Sequence, residues 1–474
     1  MHFRITHIVT ILLIAPLSGC MKTLSRDINA GADLSREYVS NAQEQQSNQP
    51  HQIKKWWLAY DDTDLNNLIT HAFSNSPSLN QIRARLKQTQ AISAQSSASL
   101  LPALDASVTR NGYNGNNAPN ASFDLSGAAS YELDLWGKNK ATIKSNKLQE
   151  QATLEDLYAA SITLSAAIVE NWLDIMSLVE QEELINQQIK VNRSVLELQQ
   201  SRYENGAASA LAVLQQEENL ARIKSFLPDI LSAQQIATNN VSLLIGETPD
   251  NILKIKTKIL PEPLNIPNSG LPSQLLENRP DIIAAWFRVL SADWAEKAAF
   301  SNRLPRFDIS AIYSTSAGKI SALFDTWLLN MAAVIASPIF DGGSRKAEQI
   351  RQQAIADERF QAYRGVVLSA VNEVENALAR NNFQDKKLKA LEEQLLASEK
   401  TLEQARFSYA NGNTSYINVL TSINNVQTLE QQIAREKLLQ AKERVRLYRA
   451  LGGRSWAEKI DSNITPSKSN KSNK

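Results

Sequence analysis

One stretch of this chain limits its possible folds more than any other: Lys138 to Asn205 runs without a single proline or glycine. Leu157, Leu164, Ile168, Trp172 and Ile175 fall along it at intervals of three, four and seven, the seam of a long helix. At ~1.5 Å per residue such a helix reaches on the order of 100 Å. A rod of that length cannot be the core of a compact globule, so it must pair with neighbours along its length.

The chain is also written twice. Tyr203-Glu204-Asn205-Gly206-Ala207-Ala208-Ser209, followed by Val213-Leu214, matches Tyr409-Ala410-Asn411-Gly412-Asn413-Thr414-Ser415, followed by Val419-Leu420. Upstream, Asn75-Ser76-Pro77 parallels Asn278-Arg279-Pro280, Leu101-Pro102 parallels Leu304-Pro305, and Val169-Glu170-Asn171 parallels Val374-Glu375-Asn376. Matches in the same order at nearly constant offset indicate tandem duplication. The repeats are read as residues 55–248 and 273–455. Between them lies a crossover at 249–272, where Pro249, Pro261, Pro263, Pro267 and Pro272 forbid a helix.

Each repeat reads as helix, β-hairpin, long helix, glycine turn, long helix. The hairpins are expected at about 103–135 and 306–340. The long helices are expected at 138–205 and 208–246, then 344–410 and 413–451. In the second repeat the seam is Val367, Val371, Val374, Leu378, Leu388, Leu391, Leu395 and Leu402. The returning helix carries Ile423, Val426, Leu429 and Ile433, and its first-repeat counterpart, more loosely, Leu211 and Leu214. Pro228 should kink that counterpart.

Between the helices the hydrophobic period changes to two. Phe123, Leu125, Gly127, Ala129, Tyr131 and Leu133 alternate with Asp124, Ser126, Ala128, Ser130 and Glu132. Leu104, Ala106 and Val108 alternate with Asp105, Ser107 and Thr109, and Phe307, Ile309, Ala311 and Tyr313 with Asp308, Ser310 and Ser314. The fourth strand, about Trp327 to Phe340, alternates poorly. These strands have the length needed to cross a bilayer at a tilt. In lipid a sheet must close, because an open edge leaves backbone groups unsatisfied. Four strands cannot close alone, so several copies must share one barrel. Asp105, Asp124, Glu132, Asp134 and Asp308 would line its inner face and give a mildly cation-preferring lumen.

At the N-terminus, His2 and Arg4 precede the apolar run Ile8–Ala15, then Leu17-Ser18-Gly19-Cys20, the sole cysteine. The run is too short to span a bilayer but suits a signal peptide, assigned to residues 1–19. The last four residues resemble the bacterial lipobox. That resemblance implies cleavage before Cys20 and acylation there, with residues 20–54 as a lipid-anchored segment. Met21 beside the cysteine implies sorting to the outer membrane. The same resemblance implies diacylglycerol on the sulfur and a third acyl chain on the new amino group, and several chains anchor firmly where one is marginal. Residues 456–474 read as a disordered tail.

Chemistry of other kinds finds little support. Fifty bases face 49 acids, and removing Arg4 with the signal leaves 50 − 1 = 49 of each, so nothing suggests nucleic-acid binding. Of four histidines, only His51 and His71 remain after the signal, in no metal-ligand spacing. No nucleophile elbow, phosphate loop or dinucleotide fingerprint occurs. The expectation is no enzyme, no cofactor and no metal. A periplasmic coiled-coil lipoprotein would have the helices but not two membrane-length hairpins.

The residues together resemble the TolC-like outer-membrane factors, in particular their OprM-like lipoprotein branch. The resemblance rests on Trp56-Trp57-Leu58-Ala59-Tyr60-Asp61-Asp62, Tyr131-Glu132-Leu133-Asp134-Leu135-Trp136-Gly137, Arg279-Pro280-Asp281-Ile282 and Pro338-Ile339-Phe340-Asp341-Gly342-Gly343. It implies an α+β trimeric channel-tunnel, a barrel of four strands per protomer continuing into a periplasmic α-helical barrel. It further implies a homotrimer docked to a periplasmic adaptor and an inner-membrane transporter of the resistance-nodulation-division type, conducting small molecules passively. An exit duct for type I protein secretion is the nearest alternative. By the same resemblance the periplasmic end closes around the turns at Gly206 and Gly412, Tyr409 ties helices in the closed state, and Asn418 and Thr421 occupy the narrowest ring. Relatives commonly carry acids there. Here the ring is expected to be neutral.

Overall fold

The computed structural model describes residues 55–113, 120–249, 259–267 and 272–454. Cys20, the signal segment, the anchored segment, the tail and most of the crossover lie outside them.

The first repeat begins with a short 3₁₀ turn, Trp56–Tyr60, and helices α1 (Thr63–Asn75) and α2 (Pro77–Ser97). Asp62 starts α1 by accepting the Leu65 amide at 2.7 Å, and Pro77 opens α2, where its missing N–H costs nothing. Strands β1 (Ala103–Tyr113) and β2 (Asn120–Leu133) follow, then the rod α3 (Lys138–Glu204) and the returning helices α4 (Ala210–Lys224) and α5 (Phe226–Ile245). The second repeat contributes one helical turn (Leu275–Asn278), α6 (Pro280–Ser301), β3 (Arg306–Ala317), β4 (Leu328–Ala336), the rod α7 (Ser344–Ala410) and α8 (Tyr416–Leu451).

Both rods span 67 residues and start after a left-handed glycine, Gly137 (φ 70°) or Gly343 (φ 86°). An aspartate caps each: Asp134 accepts from the amides of Asn139 and Lys140, Asp341 from those of Gly343 and Arg345. Part of α3 is apolar enough to cross a membrane, yet most of that stretch is buried in the protein. It is seam, not span: Leu157, Ile168 and Trp172 are covered, each such burial worth about 1.5–3 kcal/mol.

The return in the first repeat, expected over 208–246 with a kink at Pro228, is divided into two helices beside that proline. It breaks at Ser225, three residues before Pro228. The proline ring excludes the carbonyl of the residue four back, which is Lys224, where α4 stops. Leu211 and Leu214 also depart from expectation, lying 63% and 61% exposed. The covered face of α4 is instead Ala212, Gln216, Asn219, Leu220 and Ile223.

The main core lies where α1, α5, α6 and α8 meet the middle of the two rods. Trp172, Ile69, Ile282, Tyr363, Val367 and Val445 meet there, with Trp57 against Phe73 and Trp56 stacked on Tyr448. The repeats share one joint. The chain turns at Gly246 against the Asn75 carbonyl, and at Gly452 against the Asn278 carbonyl; a β-carbon on either glycine would sit 2.7 or 2.6 Å from that oxygen.

The four strands form one antiparallel sheet in the order β1-β2-β3-β4. Its register sorts the faces. Leu104, Ala106 and Val108, then Phe123–Leu133 at odd positions, Phe307, Ile309, Ala311 and Tyr313, and finally Leu329, Met331, Ala333 and Ile335 share one face. The opposite face carries Asp105, Ser107, Thr109, Asp124, Ser126, Ser130, Glu132, Asp308, Ser310 and Ser314. Asn330 is the one polar residue β4 brings to that face, against Leu328, Ala332 and Val334, which explains its weak alternation.

Candidate functional site: the helix tips and the polar seam

At the end of the rods farthest from the sheet, two turns reverse the chain by one mechanism. Gly206 and Gly412 both adopt φ 72°, closed to ordinary side chains without strain. In the first turn Gly206 N–H donates to Tyr203 O at 2.9 Å and Ala207 N–H to Arg202 O at 2.7 Å. In the second, Gly412 donates to Tyr409 O at 3.1 Å and Asn413 to Ser408 O at 2.9 Å. The last carbonyls of each rod are thus satisfied, and the next helix starts three residues on at Ser209 or Ser415.

Tyr409 bridges the repeats. Its hydroxyl donates to Gln199 Oε1 of α3 at 3.2 Å, the Arg202 guanidinium lies 4.7 Å from its ring centre, and its ring meets Tyr416 at 5.7 Å. Tyr416 reaches the first repeat too, donating to Gln216 Oε1 at 2.5 Å. Burial and the neighbouring Tyr409 push the Tyr416 phenol far above its ordinary pKa, so it remains a neutral donor.

Asn418 and Thr421 are elsewhere. Both are exposed on the other face of α8, Asn418 donating to Thr414 Oγ1 at 2.6 Å and Thr421 to Ile417 O at 2.8 Å. The structure does not gather them with Tyr409, which lies at the end of α7 and packs on Tyr416 of the covered side of α8, away from Asn418 and Thr421. Asn425 and Thr428 continue their line along α8, Thr414 lies in the turn just before it, and none of these residues is charged.

Behind the tips lies a polar seam that sequence reasoning missed. Asn192 of α3, fully buried, is its hub. It donates to Gln427 Oε1 of α8 at 3.1 Å and accepts from Gln216 at 3.1 Å and Asn219 of α4 at 2.8 Å. Gln188 donates to Gln427 O and Glu430, and Gln431 donates to Gln188. Arg222 joins Asn219 to Asn424 at the edge, 2.8 Å from each. A signal existed: Gln188, Asn192 and Gln199, and Gln216 and Asn219, recur at the three-, four- and seven-residue spacings of buried positions. A fully satisfied amide network fixes one register of three helices.

The acids of the sheet are less available than expected. Glu132 pairs with Lys138 at 2.6 Å, Asp308 with Arg306 at 2.9 Å, and Asp134 is committed to capping α3. Asn111, Ser122 and Ser316 donate to Asp124. The expected cation preference therefore rests on Asp105 and Asp124 alone. No group of His, Cys, Asp and Glu fit to hold a metal occurs among the described residues.

Comparison with known proteins accords with this architecture. The family model described as outer membrane efflux protein matches residues 68–247 and 271–453, one segment in each repeat. The pyoverdine export outer membrane protein OpmQ of Pseudomonas aeruginosa is 28% identical over 416 residues, covering 85% of this chain and 87% of its own. The probable outer membrane lipoprotein SilC of Salmonella typhimurium is 26% identical, covering 86% and 89%. Among solved structures, the Campylobacter jejuni CmeC outer membrane channel shares the fold with a TM-score of 0.81 at 20% identity, over 91% of this chain and 95% of that one. The sheet sits in the outer membrane, the rods reach into the periplasm, and the chain belongs to the outer membrane efflux protein family, as the TolC-like channel component of an efflux system.

Proposed function

We propose that three copies of this chain form the exit duct of a tripartite pump, conducting small molecules passively from a periplasmic adaptor and a resistance-nodulation-division transporter to the outside. The observation that carries the reading is the sheet: two edges open, one face apolar and one polar. Three such sheets closed edge to edge give a twelve-stranded barrel with a wet lumen and an oily outside. Cys20, acylated after removal of residues 1–19, would anchor each copy in the outer membrane.

The helix tips at Gly206 and Gly412 would form the gate. Tyr409 and Tyr416 hold the second-repeat tip to the first through Gln199 and Gln216, so opening requires those contacts to part. Asn418 and Thr421 would line the constriction as a neutral ring, where hydrogen bonding and packing, not bound cations, keep it closed. Planar-bilayer recordings test this. Tyr409→Phe should raise the open probability several-fold, and a chain with Asn418→Asp and Thr421→Asp should gain block by divalent cations. Equal block before and after that change would refute the neutral ring, and electrically silent bilayers would refute the duct.

A further inference from the structure

One charged side chain breaks the apolar face of the sheet. Among the described residues of the four strands, Arg110 alone places a charge there. It sits on β1 directly opposite Phe123, its guanidinium carbon 5.8 Å from that ring's centre, and makes no ion pair or hydrogen bond with a described residue. The acids of the sheet lie on the other face, so no described acid of the four strands neutralises it.

Its height is informative. From Leu133, beside the rods, to Phe123 the apolar face of β2 is uncharged. Ten residues at ~3.4 Å give about 34 Å along the strand, and at a tilt of roughly 40° about 26 Å along the membrane normal. That is close to the ~25 Å apolar band of an outer-membrane barrel. Arg110 therefore stands where the hydrocarbon ends and headgroups begin, on the rim away from the periplasmic helices, which is the outer leaflet. Its aliphatic stem can lie on the apolar surface while its planar head reaches the polar layer.

The rim has a second component. β1 is one edge of the sheet and β4 the other, and they run in opposite directions. Closing the ring pairs β1 with a neighbouring copy's β4. The turn before β4 holds Lys319 and Trp327, both exposed, with Asp325 as its one acid, and Trp327 stacks on Tyr313 of the apolar face at 6.0 Å. Each junction between copies would thus present an unpaired guanidinium, a lysine and aromatic rings on the lipid side.

We infer that Arg110 binds the phosphate of an outer-leaflet lipid headgroup at each junction between protomers, an inference that rests on the closed-barrel reading. Guanidinium matches phosphate through paired N–H donors, and phosphate supplies an anion that the described residues of the apolar face do not. The test is native mass spectrometry of the detergent-purified trimer with a phosphorylated glycolipid and with the same lipid dephosphorylated. Up to three phosphorylated lipids should be retained, about tenfold more tightly than the dephosphorylated form, and Arg110→Ala should lose that preference. Arg110→Lys should keep part of it. Equal retention of the two lipids by the intact wild-type trimer would overturn the inference. So would an Arg110→Ala trimer that retains lipid like the wild type. Displacement of the lipid by millimolar inorganic phosphate would also overturn it, by showing a free-anion site. Should Arg110→Ala not assemble, the wild-type comparison of the two lipids decides alone. Trimer migration on gels, read separately, tells failure of the barrel from failure of the site.

Discussion

The two repeats reach the same joint by different chemistry. In each, a helix ends in a positive-φ glycine pressed against the carbonyl two residues before the proline that opens another helix. In the first repeat the positions equivalent to the second's charged cluster are neutral: Ser76 and Ser78 share a hydrogen bond at 3.0 Å, and Ile168 of α3 is apolar and covered. The ion-pair contact beside the glycine there is His71 with Glu247 at 3.1 Å. In the second, Arg279 is fixed by Asp281, by Glu373 of α7 at 2.8 Å and by the Ala450 carbonyl at 3.0 Å. The returning limbs differ as well. One is broken at Ser225, while the other runs unbroken from Tyr416 to Leu451. Duplication preserved the glycine and its positive φ, because the facing carbonyl leaves no room for a side chain, and released the side chains around it. The first repeat became the jointed limb and the second the straight strut, with the polar seam running between the two.

That contrast can be broken most severely at the strut. Ala434 stands at the place of α8 that Pro228 occupies in the first repeat, offset by 206. Ala434→Pro should cost ~3 kcal/mol or more by removing a helix hydrogen bond, whereas Pro228→Ala should change stability by less than about 1 kcal/mol. Thermal unfolding followed by circular dichroism separates them; equal effects would mean the limbs are not mechanically distinct. Next comes the shared joint. Gly452→Ala and Gly246→Ala should each cost roughly 2–3 kcal/mol, from the contact and the positive φ together. Gly137→Ala, with a similar φ but open space around its β-carbon, should cost only about 1 kcal/mol.

The charged surroundings rank third. Arg279→Ala should cost about 2 kcal/mol, since the Ala450 carbonyl loses its donor while Asp281 and Glu373 can rehydrate. Ser78→Ala in the first repeat should cost under about 0.5 kcal/mol in the same denaturation series. The smallest effect concerns pH. Burial pushes the Glu436 carboxyl up, but hydrogen bonds from Gln384 and Lys387 outweigh it and hold the group below its ordinary value. The stabilisation is therefore present above the usual carboxylate range and fades as acid protonates Glu436. Unfolding measured from neutral pH downward should be flatter for Glu436→Gln, and an unchanged slope would remove Glu436 from the account.

What the sequence made legible was mostly local. Glycine turns at Gly206 and Gly412, the alternation of β2 and the length of α3 depend on near neighbours in the chain, and pattern conveys them, whereas Asp134, expected as a lumen acid, caps α3 instead. The losses came where neighbours are distant. Leu211 and Leu214 look like a seam until α3 and α8 claim the other side of the helix. Gln188, Asn192 and Gln216 look like a solvated face until their spacing meets two further helices with matching amides. The site residues divide the same way: Tyr409 lies in a contact that bridges repeats, while Asn418 and Thr421 face away from everything in a single copy, so their surroundings depend on the other protomers.

The unpaired edges of β1 and β4 carry a consequence for how this protein is made. Leu104, Val108, Met331 and Ile335 stand bare in one copy, each more than half exposed, beside backbone groups with no partner. A solitary chain therefore has sticky margins, and its final step is second- or third-order in its own concentration. Slow delivery to the membrane would leave half-rings waiting for mates, and those stragglers are what a periplasmic protease would see first.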